Sequence, residues 1–224
     1  MKKTIHILWL LLVFFSYSCA LYQIQVAGGP AYDKFFGNTG DFYSEYIGLN
    51  VGGGLLLNRL VEPHVRFGGG ILYPGPELIR QYRLYYYPNF RKLVMYRYPV
   101  SLGVSVYPWM DKGPTPFFGA EIGAEVVSSF VQNAYADRQE DVGWGPDYGI
   151  ISGISFPLDD VEEFFLKTGI RLRYSNSTRY VLAGESNMAQ NAYSGYITTS
   201  PEHVFANTWT LGLWVELVWG NGVD

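Results

Sequence analysis

The stretch Val94-Met95-Tyr96-Arg97-Tyr98-Pro99-Val100-Ser101-Leu102-Gly103-Val104-Ser105-Val106 is apolar or aromatic at every second position, from Val94 through Tyr96, Tyr98, Val100, Leu102 and Val104 to Val106. Arg97, Ser101, Gly103 and Ser105 fall between. A period of two marks a β-strand with chemically different faces, because successive side chains point to opposite sides of a sheet. Pro99 has no N–H to give to a ladder, so a bulge is expected there.

The same period recurs along the chain. Ile47, Leu49, Val51, Leu55 and Leu57 oppose Gly48, Asn50, Gly52 and Gly54, and Phe118, Ala120, Ile122, Ala124 and Val126 oppose Gly119, Glu121, Gly123 and Glu125. Phe164, Leu166, Ile170, Leu172 and Tyr174 oppose Lys167, Gly169, Arg171 and Arg173. Trp209, Leu211, Leu213, Val215, Leu217 and Trp219 oppose Thr208, Thr210, Gly212 and Glu216. Less regular strands are expected over 22–28, over 62–72 (Val65, Phe67 and Ile71 against Glu62, His64 and Arg66) and over 148–156. Eight strands with this pattern predict an all-β fold, an eight-stranded antiparallel up-and-down transmembrane β-barrel.

The connections alternate in length. Long ones are expected over 31–42, 73–93, 132–146 and 175–206, and short ones over 58–61, 109–115 and 157–163. Outer-membrane barrels have this polarity, with short turns at one end and long loops at the other. Aromatic residues stand at the strand ends, as amphipathic rings do at a membrane interface. Trp109, Phe117, Phe164 and Trp219 are expected at the short-turn end, and Tyr43, Tyr73, Phe130, Tyr174 and Trp209 at the long-loop end.

Composition agrees. Of 224 residues 16% are charged and 48% hydrophobic, against roughly 25% charged in ordinary soluble domains. The chain holds 26 Gly, 19 Tyr, 14 Phe and 6 Trp, which speaks against a helical bundle. A net charge of −4 with no basic run argues against nucleic-acid binding. Lys2 and Lys3 precede the apolar run 5–15, too short for the ~20 residues of a membrane-spanning helix. Residues 1–20 therefore read as a secretory signal and 21–224 as the barrel, with Ser18 and Ala20 permitting cleavage before Leu21. The mature chain then has no cysteine and no disulfide. A lipidated N-terminus at Cys19, behind Ser18, is the alternative.

Alternation does not by itself say which face points outward. A soluble barrel of the lipocalin kind turns its apolar face inward onto a ligand. Here the polar faces carry Gly48, Gly52, Gly54, Gly68 and Gly70 and almost no Lys, which suits a crowded lumen better than a solvated exterior. With the apolar faces outward, Glu62, His64, Arg66, Arg97, Glu121, Glu125, Lys167, Arg171, Arg173 and Glu216 enter the lumen. Unpaired buried charge is costly, so these groups are expected to form an ion-paired plug rather than line a wide pore. A narrow gated conduit or a proton-linked role for His64 is the other reading.

Two segments resemble the small outer-membrane barrels of Gram-negative bacteria, the OmpA-like and OmpX/Ail-like group. Pro116-Phe117-Phe118-Gly119-Ala120-Glu121-Ile122-Gly123 is similar to that group's strand opening. In the last strand, Thr210, Gly212, Val215, Leu217 and Trp219 resemble the signal read by the barrel assembly machinery, although five residues follow Trp219. The resemblance implies an outer-membrane location of Gram-negative type and contact with outer-membrane lipid and lipopolysaccharide. It also implies a monomer acting through its outer loops. A second resemblance is to lipid A 3-O-deacylases, through Arg173-Tyr174-Ser175-Asn176. It implies Ser175 as nucleophile and Glu185 as acid. The base position holds Arg173, a permanently protonated guanidinium that cannot take a proton, so an esterase would need His203 to fold back. No enzymatic activity is expected.

His64 and His203 stand alone, without Cys or paired acids, so no metal or cofactor is expected. The 73–93 connection interleaves Arg80, Arg83, Arg91 and Lys92 with Tyr82, Tyr85, Tyr86, Tyr87 and Phe90. These residues suit docking of phosphates or a surface glycan. The acidic residues Asp137, Glu140 and Asp141 suit a divalent cation shared with lipid. The expected role is structural or adhesive, in envelope integrity.

Overall fold

The computed structural model describes residues 22–36, 42–85, 90–108, 113–133, 137–161, 163–181 and 202–221. The expected signal segment with Cys19, together with Trp109 and Glu185, lies outside the described residues.

The strands are β1 (Tyr22–Phe36), β2 (Tyr43–Leu57), β3 (Val61–Pro74), β4 (Phe90–Val106), β5 (Thr115–Asn133), β6 (Asp137–Pro157), β7 (Phe164–Val181) and β8 (Glu202–Gly220). Each pairs antiparallel with the next, and β1 pairs with β8, so the sheet closes on itself. Closure leaves no edge and satisfies the backbone groups that lipid cannot.

Strands run further than hydrophobic alternation suggested. β1 continues to Phe36, β5 and β6 fill most of the expected 132–146 loop, and β7 and β8 extend to Val181 and back to Glu202. Asp137 to Asp141, expected as an acidic loop, pair their backbone with Ser129 to Gln132. Alternation fades where the chain leaves hydrocarbon, because lipid no longer selects the outward side chains, while ladder hydrogen bonds continue regardless.

At the short end, Asn58 and Arg59 have φ of 49° and 57°, the left-handed pair a type I′ hairpin turn requires. Asp159 Oδ1 accepts from the backbone N–H of Glu163 (2.9 Å) and Phe164 (3.1 Å), fixing the turn before β7. At the long end the 73–93 connection contains helix α1 (Pro76–Tyr85). Pro76 opens it, Glu77 stands in its first turn and Arg83 in its last, an arrangement that suits the helix dipole. Leu78 and Tyr82, one turn apart, are buried.

No bulge forms at Pro99. The β3–β4 register is the same on both sides of it, from Phe67↔Val100 to Gly70↔Arg97, and Pro99 pairs with Glu125 on β5. The ladder simply skips the missing donor, and the Pro99 ring takes the space over Gly68.

The outward positions are apolar and exposed throughout the middle of the barrel, for example Leu49, Leu102, Ile122, Ile150 and Leu213. Trp209 and Trp219 are ten residue steps apart, about 33 Å along a strand and about 25 Å after a 40° tilt, the height of an outer-membrane apolar band. Phe36, Tyr73, Trp144 and Trp209 ring its upper edge, and Tyr22, Phe118, Phe164 and Trp219 its lower. Lys34 and Glu45 pair on the outward face (2.8 Å), one outward position short of Phe36 on β1. Two aromatics expected in these rings point inward instead: Phe117 is 1% and Tyr43 6% exposed. Their parity places them on the lumen side, where they fill the two ends of the interior.

Candidate functional site

All ten charged residues expected in the lumen lie inside it, each less than a tenth exposed. They form one column. Toward the short turns, Lys167 Nζ donates to Glu62 Oε2 (2.7 Å) and Gln25 Oε1 (2.8 Å), and Tyr107 Oη donates to Glu62. At mid-height Arg66 grips Glu216 with Nε (3.1 Å) and Nη2 (3.2 Å) and donates through Nη1 to Glu121 Oε1 (2.5 Å). His64 Nε2 lies 2.8 Å from Arg66 Nη1 and 3.2 Å from Glu121 Oε1. Above them Arg173 reaches Glu121 (3.3 Å) and Asp147 (3.2 Å). Arg97 joins Glu125 (2.7 Å) to Asp33 (2.6 Å), and Arg171 also meets Asp33 (3.2 Å).

Asp33 escaped the sequence reading because it was placed in the 31–42 connection, and Asp147 because it fell between the 132–146 connection and the strand expected over 148–156. Both keep the inward parity of their strands, and the surplus of five permanent cations over four carboxylates among the ten expected residues could have pointed to them. With them, six carboxylates face five permanent cations and His64 among the described buried residues.

Apolar layers bound the column. Phe35, Tyr43, Tyr46, Leu72, Leu93 and Met95 pack with Leu78 and Tyr82 of α1 at the long-loop end, and Leu56, Tyr107, Phe117 and Trp214 toward the short turns. Cations rest on the rings of both layers: Arg97 lies 5.5 Å from Phe35 and 5.3 Å from Tyr46, and Arg66 lies 5.1 Å from Trp214. Glycines make the room. Tyr46 lies across Gly48, Arg66 across Gly52, Glu62 across Gly54, His64 across Gly103 and Asp33 across Gly212.

The remaining candidates are dispersed. Ser175 is 2% exposed and faces the lumen beside Thr208, away from lipid. His203 pairs with Tyr180, five positions further along β7, about 17 Å from Ser175 at strand rise. Arg80 on α1 is held by Glu77 (2.7 Å), while Arg83, Arg91 and Lys92 are exposed at the same end. Of the positions expected to carry an assembly signal, Thr210 and Gly212 face inward and Val215, Leu217 and Trp219 face outward on the strand that closes the barrel. Among the described residues no cluster of three or more His, Cys, Asp or Glu suits a metal.

No family model and no curated protein sequence matches the chain. Solved structures do. The crystal structure of Neisserial surface protein A aligns over 88% of this chain and 96% of its own, with 11% identity and a TM-score of 0.50. A major outer membrane protein from Thermus thermophilus aligns over 88% and 99%, with 11% identity and a TM-score of 0.52. At that identity the likeness is one of fold. Together with the apolar belt, it makes this chain an integral β-barrel of outer-membrane type, in the class of small eight-stranded barrels.

Proposed function

We propose that the chain is a monomeric, non-enzymatic outer-membrane barrel. Its lumen is a structural plug, and its outer end contacts anionic surface ligands in envelope integrity or adhesion. The observation that carries this reading is the buried ion-pair column held between two apolar layers. Eight strands enclose a space that side chains just fill, and this column fills it with groups that need one another.

Planar-bilayer recording tests the plug. The wild-type protein is expected to give no conductance steps, and large ohmic steps would contradict the reading. The double substitution Glu121→Gln with Glu125→Gln leaves Arg66, Arg97 and Arg173 short of partners. It is expected to destabilise the barrel by about 3 kcal/mol or more, or to open small conductances.

Arg83, Arg91 and Lys92 supply a basic outer end. Replacing all three with Ser is expected to weaken binding to lipopolysaccharide vesicles about tenfold at low salt and to have little effect at high salt. Unchanged binding at low salt removes the basic end from the account. The inward placement of Ser175, with Arg173 committed to Glu121 and Asp147, supports the absence of acyl hydrolysis. Mass spectra of lipid A from cells with and without the protein are expected to be identical. Loss of an acyl chain that depends on Ser175 would overturn this.

A further inference from the structure

Hydrogen bonds divide the lumenal carboxylates into two groups. Five of them accept from the five permanent cations: Glu62 from Lys167, Glu216 from Arg66, Glu121 from Arg66 and Arg173, Glu125 from Arg97, and Asp33 from Arg97 and Arg171. The sixth, Asp147, accepts none among the described residues. It is 2% exposed, and neither Oδ1 nor Oδ2 has a hydrogen-bond partner. Arg173 Nη1 comes within 3.2 Å of Oδ2 without hydrogen-bond geometry, while its Nη2 donates to Glu121 (3.3 Å).

His64 does not offset the sixth carboxylate. Arg66 Nη1 has two hydrogens, one for Glu121 Oε1 and one for His64 Nε2 at 2.8 Å. Nε2 is then the acceptor of a neutral ring whose Nδ1 donates to the Glu62 carbonyl (3.2 Å). The column therefore keeps one negative charge, and it falls at Asp147. Uncompensated charge in a low-dielectric interior is costly.

The open groups beside Asp147 are oxygens. Ser175 on β7 is its register partner, is 2% exposed, and has an Oγ without a hydrogen-bond partner. Thr210 Oγ1, beside Arg173 on β8, has none either. Glu125, held by Arg97, lies close to both Asp147 and Ser175. Carboxylate and hydroxyl oxygens are hard donors, suited to a hard cation rather than a transition metal. A divalent ion would overshoot the single charge, and calcium takes about six to eight oxygens. Toward the long loops the lumen wall beside Asp147 is small and polar: Gly145 and Gly143 are the next inward positions on β6, with Ser129 on β5 and Thr208 on β8 nearby. The bulky apolar layer at that end is built by β1 to β4 and α1, β5 adding Val127.

We propose that Asp147 and Ser175 hold a monovalent hard cation of the sodium class, reached from the outer end along the β5–β8 side of the lumen. Asp147 binds it through Oδ1, Oδ2 being the oxygen nearer Arg173. Ser175 binds it through Oγ and turns its hydroxyl hydrogen toward Glu125. The ion makes the column neutral. The site rests on the plug reading, but bilayer recording tests the plug and sodium-dependent stability tests the site, so the two fail separately.

The test is urea titration of the full barrel in vesicles at mildly alkaline pH, in sodium chloride or in choline chloride of equal ionic strength. The wild-type midpoint is expected to rise with sodium and saturate, as for any ligand that binds only the folded state, and to stay flat in choline. Asp147→Asn removes the charge at nearly constant shape, and its midpoint is expected to be independent of sodium. Ser175→Ala keeps the charge and loses a ligand, so half of the effect is expected to need about tenfold more sodium. Asp160→Asn, at an exposed carboxylate of the β6–β7 turn, keeps the wild-type response. A wild-type midpoint indifferent to sodium, the result if a proton on Asp147 or His64 balances the charge, would overturn the proposal. So would an equal response to choline, a sodium response that survives Asp147→Asn, or an unchanged response in Ser175→Ala.

Discussion

Replacing Arg97 by Met is expected to cost about 3–5 kcal/mol, the range for removing one partner from a buried ion pair. Arg97 is 1% exposed and joins two strands' carboxylates, Asp33 on β1 at 2.6 Å and Glu125 on β5 at 2.7 Å. Met fills most of the volume and keeps contact with the Phe35 and Tyr46 rings, so packing changes little. What changes is that Glu125 loses its ion-pair partner, and Asp33 keeps only the 3.2 Å contact with Arg171. Urea titration of the barrel in vesicles measures the loss. The double variant Arg97→Met, Glu125→Gln, which leaves Asp33 to Arg171, is expected to recover most of it, since removing a whole buried pair is far milder than orphaning half of one. A loss below about 1 kcal/mol for the single variant would place these groups in contact with water and refute the buried column.

The second large effect is steric. A Cβ on Gly123 would lie 2.0 Å from the Val100 carbonyl oxygen and 2.9 Å from the Ser101 Cα, both backbone atoms of β4. Neither can rotate away, so the strands themselves must part. Gly123→Val is expected to exceed the usual overpacking penalty of about 1–3 kcal/mol and to abolish folding. Gly113 offers the control, because nothing lies within 4 Å of its added Cβ. Gly113→Ala is expected to fold with wild-type yield on unheated gels, which separate folded barrel from unfolded chain. Equal yields for the two variants would mean that β4 and β5 do not approach as closely as described.

Strand parity was legible because the bilayer reads it. A residue that faces hydrocarbon must be apolar whatever its neighbours are, so Trp209 to Trp219 or Val94 to Val106 announce both faces, and the inward charges follow by counting in twos. Beyond the belt this selection stops, and legibility stops with it. Asp33 lies past the point where β1 ceases to alternate clearly, and the polar Asp137–Asp141 run gives no sign of its pairing with β5. Tyr43 and Phe117 were read by residue type as interface rings, whereas parity assigns them to the lumen. At Pro99 the rule that proline breaks a ladder was right about the missing donor and wrong about the remedy, since Gly68 accommodates the ring without a shift of register. Helix α1 was hidden in a loop whose basic and aromatic residues drew attention away from the one-turn spacing of Leu78 and Tyr82.

The central claim is that this barrel turns its apolar faces to lipid and its charges to a filled interior. Single cysteines at each position from 209 to 219, labelled with a fluorophore in vesicles and challenged with a lipid-soluble quencher, test it directly. Quenching is expected at 209, 211, 213, 215, 217 and 219, with labels at 210, 212, 214, 216 and 218 shielded, matching the alternation of exposed and buried residues along β8. An inverted alternation, or none, would contradict the account.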